Sequence, residues 1–213
     1  MITMKSLARP IALLVGAAVL GLIIAAIYIY AGWYNIGADR PHWSLTTAVI
    51  ETLRERSIER RAAEIKVPNL TDQQLILKGA GQYAAMCTQC HLAPGNSSSE
   101  IRPGLYPRPP DLSKVRIDPR VAFWVTKHGI KMSAMPAWGT GHDDATIWSI
   151  VAFVTKLPDL DAKAYREIVA KAPPDEEMES MEHDAKNSPA QHSAVTEEMT
   201  GGESTAHQHG GEK

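Results

Sequence analysis

Cys87-Thr88-Gln89-Cys90-His91 contains the only two cysteines of a 213-residue chain, set three positions apart and followed at once by a histidine. Upstream of this motif, Gly79, Tyr83 and Cys87 are spaced by four, so they share one face if the segment is helical. Glycine at positions 79 and 81 also allows another helix to approach closely. We therefore predict a helix that brings two thiols and an imidazole together at its end.

Three kinds of site use a Cys-x-x-Cys pattern, and the rest of the chain distinguishes between them. Structural zinc needs about four ligands, but no third cysteine exists, and His128 and His142 are too far apart for a short-spaced pair. A thioredoxin-like dithiol needs a preceding strand, whereas this motif follows a predicted helix. Cysteines about one helical turn apart can instead add across the two vinyl groups of a haem. We predict one haem c, attached through Cys87 and Cys90, with His91 as an axial iron ligand.

A second axial ligand is expected from the loop at 129–138, because electron-transfer haems commonly use His and Met together. Met135 is the better candidate, since Pro136 stiffens the backbone after it and Trp138 offers a flat wall for the porphyrin edge. Met132 is expected to be a packing methionine against the haem or the last helix. The nearby histidines fit helix ends better than iron coordination.

The N-terminal segment 11–31 has 21 residues without a charge, which is enough for a membrane-spanning helix of roughly 20 residues. A signal-peptide core needs only about 7–15 apolar residues, and no good small-x-small cleavage pattern follows. Lys5 and Arg9 precede the segment, so the N-terminus is predicted to stay cytoplasmic. We therefore predict a retained anchor. Its far end carries rings that favour the headgroup layer, at Tyr28, Tyr30, Trp33 and Tyr34.

The chain divides by composition into four predicted regions. They are an anchor at 1–34, a juxtamembrane helix or linker at 35–68, a haem domain at 69–158, and an acidic tail containing His and Met at 159–213. The overall net charge of −2 gives no indication of nucleic-acid binding. The haem domain is mildly basic, whereas the end of the chain is rich in Glu, Ser, Gly and His and is predicted to be mostly disordered.

The linker region is predicted to contain a helix from Ser44, as N-cap, to about Lys66. Its Arg and Glu side chains suggest a solvated helix with ion pairs, and the alternative is a helix that contacts lipid headgroups or a partner subunit. Pro68 ends this segment.

Helices in the haem domain are predicted from local signals. Thr71 with Gln74 fits a capping box before the cysteine motif. Asp118-Pro119 starts a helix that ends at His128-Gly129. A last helix covers 145–157, capped by Asp143 or Asp144, and one or two helical turns are expected at 165–170. No alternating strand pattern of useful length occurs, so the fold class is all-α, with a small domain around one covalent haem behind a single transmembrane helix.

The order of these features resembles a class I cytochrome c over residues 69–158. The resemblance is carried by the Gly/Tyr helix before the motif, by Pro109-Pro110-Asp111-Leu112, by Met135-Pro136-Ala137-Trp138 and by the final helix with Trp148. The segment 34–43 and the His-Gly-Ile-Lys-Met run at 128–132 are similar to membrane-anchored monohaem cytochromes of bacteria.

The resemblance implies thioether links at Cys87 and Cys90 and axial ligation by His91 and Met135. It also implies that the helix at Gly79 and Tyr83 contacts the last helix near Trp148 and Ala152. In that family a loop proline carbonyl usually accepts the N–H of the axial imidazole. Here the candidates are Pro94, Pro103 and Pro109.

Two further groups of residues have an ordinary and a functional interpretation. The tail residues are expected to be solvated, and the alternative is weak binding of copper or another transition metal at Met178, Met181, His183, His192, Met199, His207 and His209. Basic side chains of the haem domain are either ordinary surface residues or a ring around the haem edge that steers an acidic partner; they are Lys114, Arg116, Arg120, Lys127 and Lys131.

The function predicted from these features is single-electron transfer in a respiratory chain, without a catalytic site. The expected location is the periplasmic face of a bacterial inner membrane. The expected partners are a quinol-oxidising complex or dehydrogenase as donor and a terminal oxidase or reductase as acceptor. The alternatives are a haem subunit of a larger oxidoreductase complex and a haem enzyme or gas sensor with an open iron position.

Overall fold

The computed structural model describes residues 4–174, and the predictions for the tail at 175–213 lie outside these described residues. The described part contains helices and no strand, which confirms the predicted all-α class. Its α-helices are α1 Met4–Tyr30, α2 Ser44–Ala62, α3 Gln73–Met86, α4 Thr88–His91, α5 Pro119–His128, α6 Asp144–Lys156 and α7 Ala162–Val169. Short 3₁₀ helices occur at Arg102–Gly104, Trp138–Thr140 and Leu157–Asp159.

The N-terminal helix α1 contains the predicted apolar segment. Pro10–Tyr30 is 21 residues long with a mean hydropathy of 2.7, and none of its most apolar stretch is buried within the protein. It ends where Gly32 takes a left-handed φ of 68° and its N–H binds the Ile29 carbonyl. By length and composition, α1 is a helix that could span a membrane.

The segment that follows α1 packs on the loop at Tyr106 through aromatic and imidazole rings. Tyr34 Oη lies 2.8 Å from Nδ1 of His42, and the two rings are stacked. The backbone N–H of His42 donates to the hydroxyl of Tyr106, 3.2 Å away, and the His42 and Tyr106 rings meet edge to face. Segment 34–43 is therefore tied to the loop before α5.

Helix α2 differs from its prediction at both ends. Ser44 is its first residue rather than its N-cap, and Trp43 occupies the cap position without a side-chain hydrogen bond. The helix ends at Ala62, four residues before the predicted Lys66. Exposed ion pairs such as Arg56–Glu59 are present, but α2 also packs against α5, so it is more than a solvated helix.

The start of α3 shows a second difference. Asp72, not Thr71, is the N-cap, and its carboxylate accepts the backbone N–H groups of Gln74 and Leu75. The Thr71 hydroxyl donates to the Asn69 side chain instead. A carboxylate is at least as good an N-cap as a hydroxyl. Asp72 is also one residue closer to the helix than Thr71, so its side chain satisfies the free N–H groups of the first turn.

The contact between α3 and α6 forms the centre of the domain. Gly79 lies so close to α6 that a methyl group in its place would overlap the backbone carbonyl of Ser149. One turn later the buried ring of Tyr83 packs on Phe153, with 5.5 Å between ring centroids. The predicted contact between these helices is present, but Trp148 faces the other way and stacks on Phe123 of α5, with centroids 4.1 Å apart.

Gly79→Ala is expected to destabilise the protein by about 1–3 kcal/mol, because the added methyl group forces α3 away from α6. The measurement is the free energy of unfolding by denaturant titration. Gly81→Ala is the matched control on the same helix, since its methyl group would meet the Cβ of Ala172 at 3.0 Å and the Pro173 carbonyl oxygen at 3.9 Å, with no backbone overlap. Equal effects of the two substitutions would contradict a close helix crossing at Gly79.

Helices α5 and α7 were predicted with different accuracy. Helix α5 runs from Pro119 to His128 as predicted, with the Asp118 side chain accepting the N–H of Arg120 and Gly129 at a φ of 65°. Helix α7 begins at Ala162, earlier than the turns expected at 165–170, because Asp161 caps it. Its Tyr165 packs on Phe153, so the hydrophobic core continues past residue 158.

Candidate haem-attachment site

The cysteine motif forms one tight turn at the end of α3. The helix stops at Met86, Cys87 is both its C-cap and the N-cap of the next helix with a φ of −109°, and α4 begins at Thr88. The N–H groups of Cys90 and His91 both donate to the Cys87 carbonyl, at 3.2 and 2.8 Å. This turn places both thiols and the imidazole on the wall of a single cavity.

The Cys87 thiol lacks the electrostatics of a redox dithiol. Burial, and then the neighbouring Cys90, raise the pKa of Cys87 to about 12. Thioredoxin-like cysteines have a lowered pKa, because the thiolate is the reactive form. The environment of Cys87 therefore fits a sulfur in an apolar wall and not an exchanging thiolate.

The imidazole of His91 is held in one orientation by a proline carbonyl. Its Nδ1–H donates to the carbonyl of Pro110 at 2.9 Å, so Nε2 keeps its lone pair. Burial lowers the pKa of His91, which favours the neutral form that binds metals. The sequence-based candidates for this carbonyl were wrong: Pro110 has the role, and the carbonyl of Pro109 accepts instead from Nη2 of Arg102 at 2.7 Å.

A buried tyrosine fixes the chain directly after the motif. The Tyr83 hydroxyl donates to the Leu92 carbonyl at 2.6 Å, and Leu92 has a left-handed φ of 64°. Burial raises the pKa of Tyr83 above its usual value, so the hydroxyl stays a donor. The helix face shared by Gly79, Tyr83 and Cys87 thus both packs on α6 and positions the motif.

The loop after α5 also forms part of the cavity lining. The N–H of Ile130 donates to the Met135 carbonyl at 3.1 Å, and the Ser133 hydroxyl bridges from the Ile130 carbonyl to the N–H of Met135. Gly129 is required at the base of this loop, because a Cβ there would lie 2.7 Å from the Met135 carbonyl oxygen. The closed loop places Met135 on the cavity wall.

The other sulfur and imidazole candidates lie elsewhere. Met132 is 88% exposed, has a left-handed φ of 58° and does not line the cavity, so the prediction that it packs against the haem or the last helix was wrong. His128 lies beside the Trp124 ring, and His142 lies beside Trp138. Neither histidine lines the cavity.

The cavity has the size of an ordinary ligand pocket and a lining that fits haem. Its volume is about 550 Å³, within the roughly 300–1,000 Å³ typical of ligand pockets. Cys87, Cys90, His91 and Met135 all line it, and two thiols, an imidazole and a thioether are the side chains that a doubly tethered haem would need. The remaining lining is largely apolar and includes Leu112, Ile117, Val121, Ala122, Val125, Ile130, Trp138, Val151 and Val154.

The charged groups at the cavity are not those proposed from the sequence as a basic ring. None of those five side chains lines the cavity, and four of them form ion pairs, Lys114–Asp111, Arg116–Asp159, Arg120–Asp118 and Lys127–Asp144. The cavity-lining charges are Glu51 and Arg54 of α2 and Arg108 of the loop. Sequence reasoning missed them, although Arg54 belongs to the noted Arg/Glu pattern of its helix.

The geometry and one comparison agree on the class of protein. Residues 74–154 match the family model described as cytochrome C oxidase, cbb3-type, subunit III. A search of curated proteins and a search of solved structures each found no match. The match spans α3 to α6 and therefore the cavity-lining sulfurs and His91. The match supports a c-type cytochrome domain over this part of the chain, and such domains transfer electrons through covalently bound haem.

Proposed function

We propose that the protein is a membrane-anchored monohaem cytochrome that carries single electrons in a respiratory chain. The observation that carries the proposal is the meeting of Cys87, Cys90, His91 and Met135 at one apolar cavity. In this proposal the two thiols form thioethers with one haem, and His91 and Met135 are its axial ligands. When bound, haem supplies one-electron exchange between ferric and ferrous iron.

The chain's own groups prepare the site for that role. The Pro110 carbonyl holds the Nδ1 proton of His91, which leaves Nε2 free for iron. A methionine sulfur favours ferrous iron and fills the position where an enzyme or sensor would bind its ligand. The aliphatic walls exclude water, which lowers the reorganisation that accompanies a change of charge. Met135 at the same cavity as His91 therefore supports a carrier over a haem enzyme or gas sensor, because its thioether would hold the bound haem together with the imidazole.

An optical spectrum tests the carrier proposal. The purified protein is expected to be low-spin, with a weak absorption band near the red end of the ferric spectrum from sulfur–iron coordination. Carbon monoxide is expected not to bind at neutral pH. High-spin iron that takes up carbon monoxide readily would point instead to an enzyme or sensor.

The anchor is proposed to be retained, with the haem domain in the periplasm. Lys5 and Arg9 before the apolar segment support this orientation. The full chain is expected to stay with membranes after alkaline washing and to have the mass of the uncleaved polypeptide. Deletion of residues 1–34 behind a cleavable signal should release a soluble haem domain. A native mass that lacks the apolar segment would contradict the anchor.

A second candidate function is a fixed subunit of a larger oxidase or reductase. The family description, which names an oxidase subunit, and the exposed apolar side chains of α2 at Leu45, Val49 and Leu53 favour it. Extraction in mild detergent followed by native electrophoresis distinguishes the free carrier from the fixed subunit. Haem stain at the mass of the single chain supports the carrier, and stain that migrates with other polypeptides supports the subunit.

A further inference from the structure

Helix α2 contributes to the haem cavity although it lies before the matched family segment at 74–154. Glu51 and Arg54, three residues apart and therefore on one face of α2, both line the cavity. The helix packs against α5, whose Val121 and Val125 form part of the same wall. The cavity is therefore built jointly by the cytochrome domain and the helix that follows the anchor.

The guanidinium of Arg54 lacks a strong partner within the described residues. Its side chain is only 26% exposed, and its one ion pair there joins Nη2 to the Glu55 carboxylate at 3.7 Å. Glu55 is the adjacent residue and is itself largely exposed. By contrast, Arg56 is 80% exposed and pairs with Glu59 at 3.3 Å. A partly buried cation beside an apolar cavity is costly unless an anion joins it.

Haem brings two such anions, because its edge opposite the vinyl groups carries two propionate carboxylates. The polar side chains available to them from α2 and the 106–108 loop are Arg54, Arg108 and the Tyr106 hydroxyl, whereas Glu51 would repel them. Arg108 is exposed, so Arg54 is the more sheltered cation. Guanidinium matches a carboxylate with two parallel hydrogen bonds, and shelter from water strengthens them.

We propose that Arg54 binds a haem propionate and thereby fastens α2, and with it the membrane-proximal part of the chain, to the haem. The inference rests on the proposed function, since it requires haem in the cavity. It has two physical consequences. A cation near the iron favours the ferrous state, so Arg54 raises the reduction potential. The same contact holds α2 on the domain and protects its backbone amides from exchange.

Both consequences are measured on the full-length holoprotein in detergent. Arg54→Gln keeps the length of the side chain and removes its charge. We expect a lower midpoint potential by redox titration and a rise of about tenfold or more in hydrogen exchange across α2, as expected for loss of a charged hydrogen bond. Arg56→Gln, two residues later and outside the cavity, is the matched control and should change neither quantity. Arg54→Lys keeps the charge, so its midpoint potential should stay close to that of the wild type. Its α2 amides should exchange faster than those of the wild type, because lysine cannot form the two parallel hydrogen bonds.

Glu55→Gln separates the proposal from a merely structural role. If Arg54 acts only through its pair with Glu55, this variant will reproduce both effects, which would overturn the inference. Equal behaviour of Arg54→Gln and Arg56→Gln would overturn it as well. If Arg54→Gln does not accumulate as holoprotein, the test is made with Arg54→Lys. Hydrogen exchange across α2 at the wild-type rate in Arg54→Lys would reject the propionate contact. Absence of covalent haem from the wild type would instead refute the proposed function.

Discussion

Replacement of both motif cysteines, Cys87→Ser with Cys90→Ser, is expected to abolish covalent haem. A serine hydroxyl does not form the thioether, and the chain contains no other cysteine. The variant and the wild type are produced in a host with c-type maturation machinery and compared by haem staining after denaturing electrophoresis. The wild type should give a haem-stained band at the mass of the chain, and the haem stain of the variant should not exceed background.

Loss of the tethers should also destabilise the domain. The cavity of about 550 Å³ between α3, α5 and α6 would lose the apolar body that fills it, and cavities of this kind are strongly destabilising. We expect low accumulation and rapid proteolysis of the double variant. Gln89→Ala is the control within the motif, because the Gln89 side chain is exposed and only its carbonyl is used, by the Ser99 hydroxyl. Haem stain that survives in the double variant would refute the attachment site.

Met135→Ala is expected to keep the covalent haem and to change the coordination of its iron. Without the thioether, the iron should lose its low-spin character and bind carbon monoxide. The midpoint potential should fall by on the order of 0.1 V or more, since axial ligands set haem potentials over roughly 0.8 V. The measurements are the ferric optical spectrum, carbon monoxide titration and redox titration of the purified protein.

Met132→Ala provides the matched control three residues earlier in the same loop. Its side chain is exposed and outside the cavity lining, so its removal should leave spectrum and potential unchanged. If Met132→Ala produces the high-spin form and Met135→Ala does not, the ligand assignment is reversed. Such a result would also require the loop closed by the Ile130–Met135 hydrogen bond to rearrange.

Features set by neighbouring residues could be predicted from the sequence. Asp118, Pro119 and Gly129 delimit α5 as expected, because a cap, a fixed φ and a left-handed φ are local requirements. The cysteine motif likewise forms its turn within five residues. Errors at this level were small, as where adjacent Thr71 and Asp72 both qualified as N-caps and the carboxylate took the position.

Features that join distant segments could not be predicted in the same way. Several prolines follow the motif, and only the folded path of the loop shows that Pro110, nineteen residues after His91, receives the imidazole proton. Arg54 precedes the motif by more than thirty residues and looked like one of several surface arginines. Its place at the cavity depends on how α2 packs on α5, which no local pattern specifies.

The hydrogen bond from the His42 backbone to Tyr106 has a consequence for how such a carrier meets its partners. Tyr106 itself lines the cavity. The segment that connects α1 to α2 is therefore bound to the domain near its C-terminal end, at His42, and is not a freely flexible linker. For a protein held in a bilayer by α1, this shortens the radius that the redox centre can sweep. With the proposed anchor and redox partners, donor and acceptor would have to present their own centres at one narrow height above the lipid, so that exchange would be a two-dimensional search across the membrane plane.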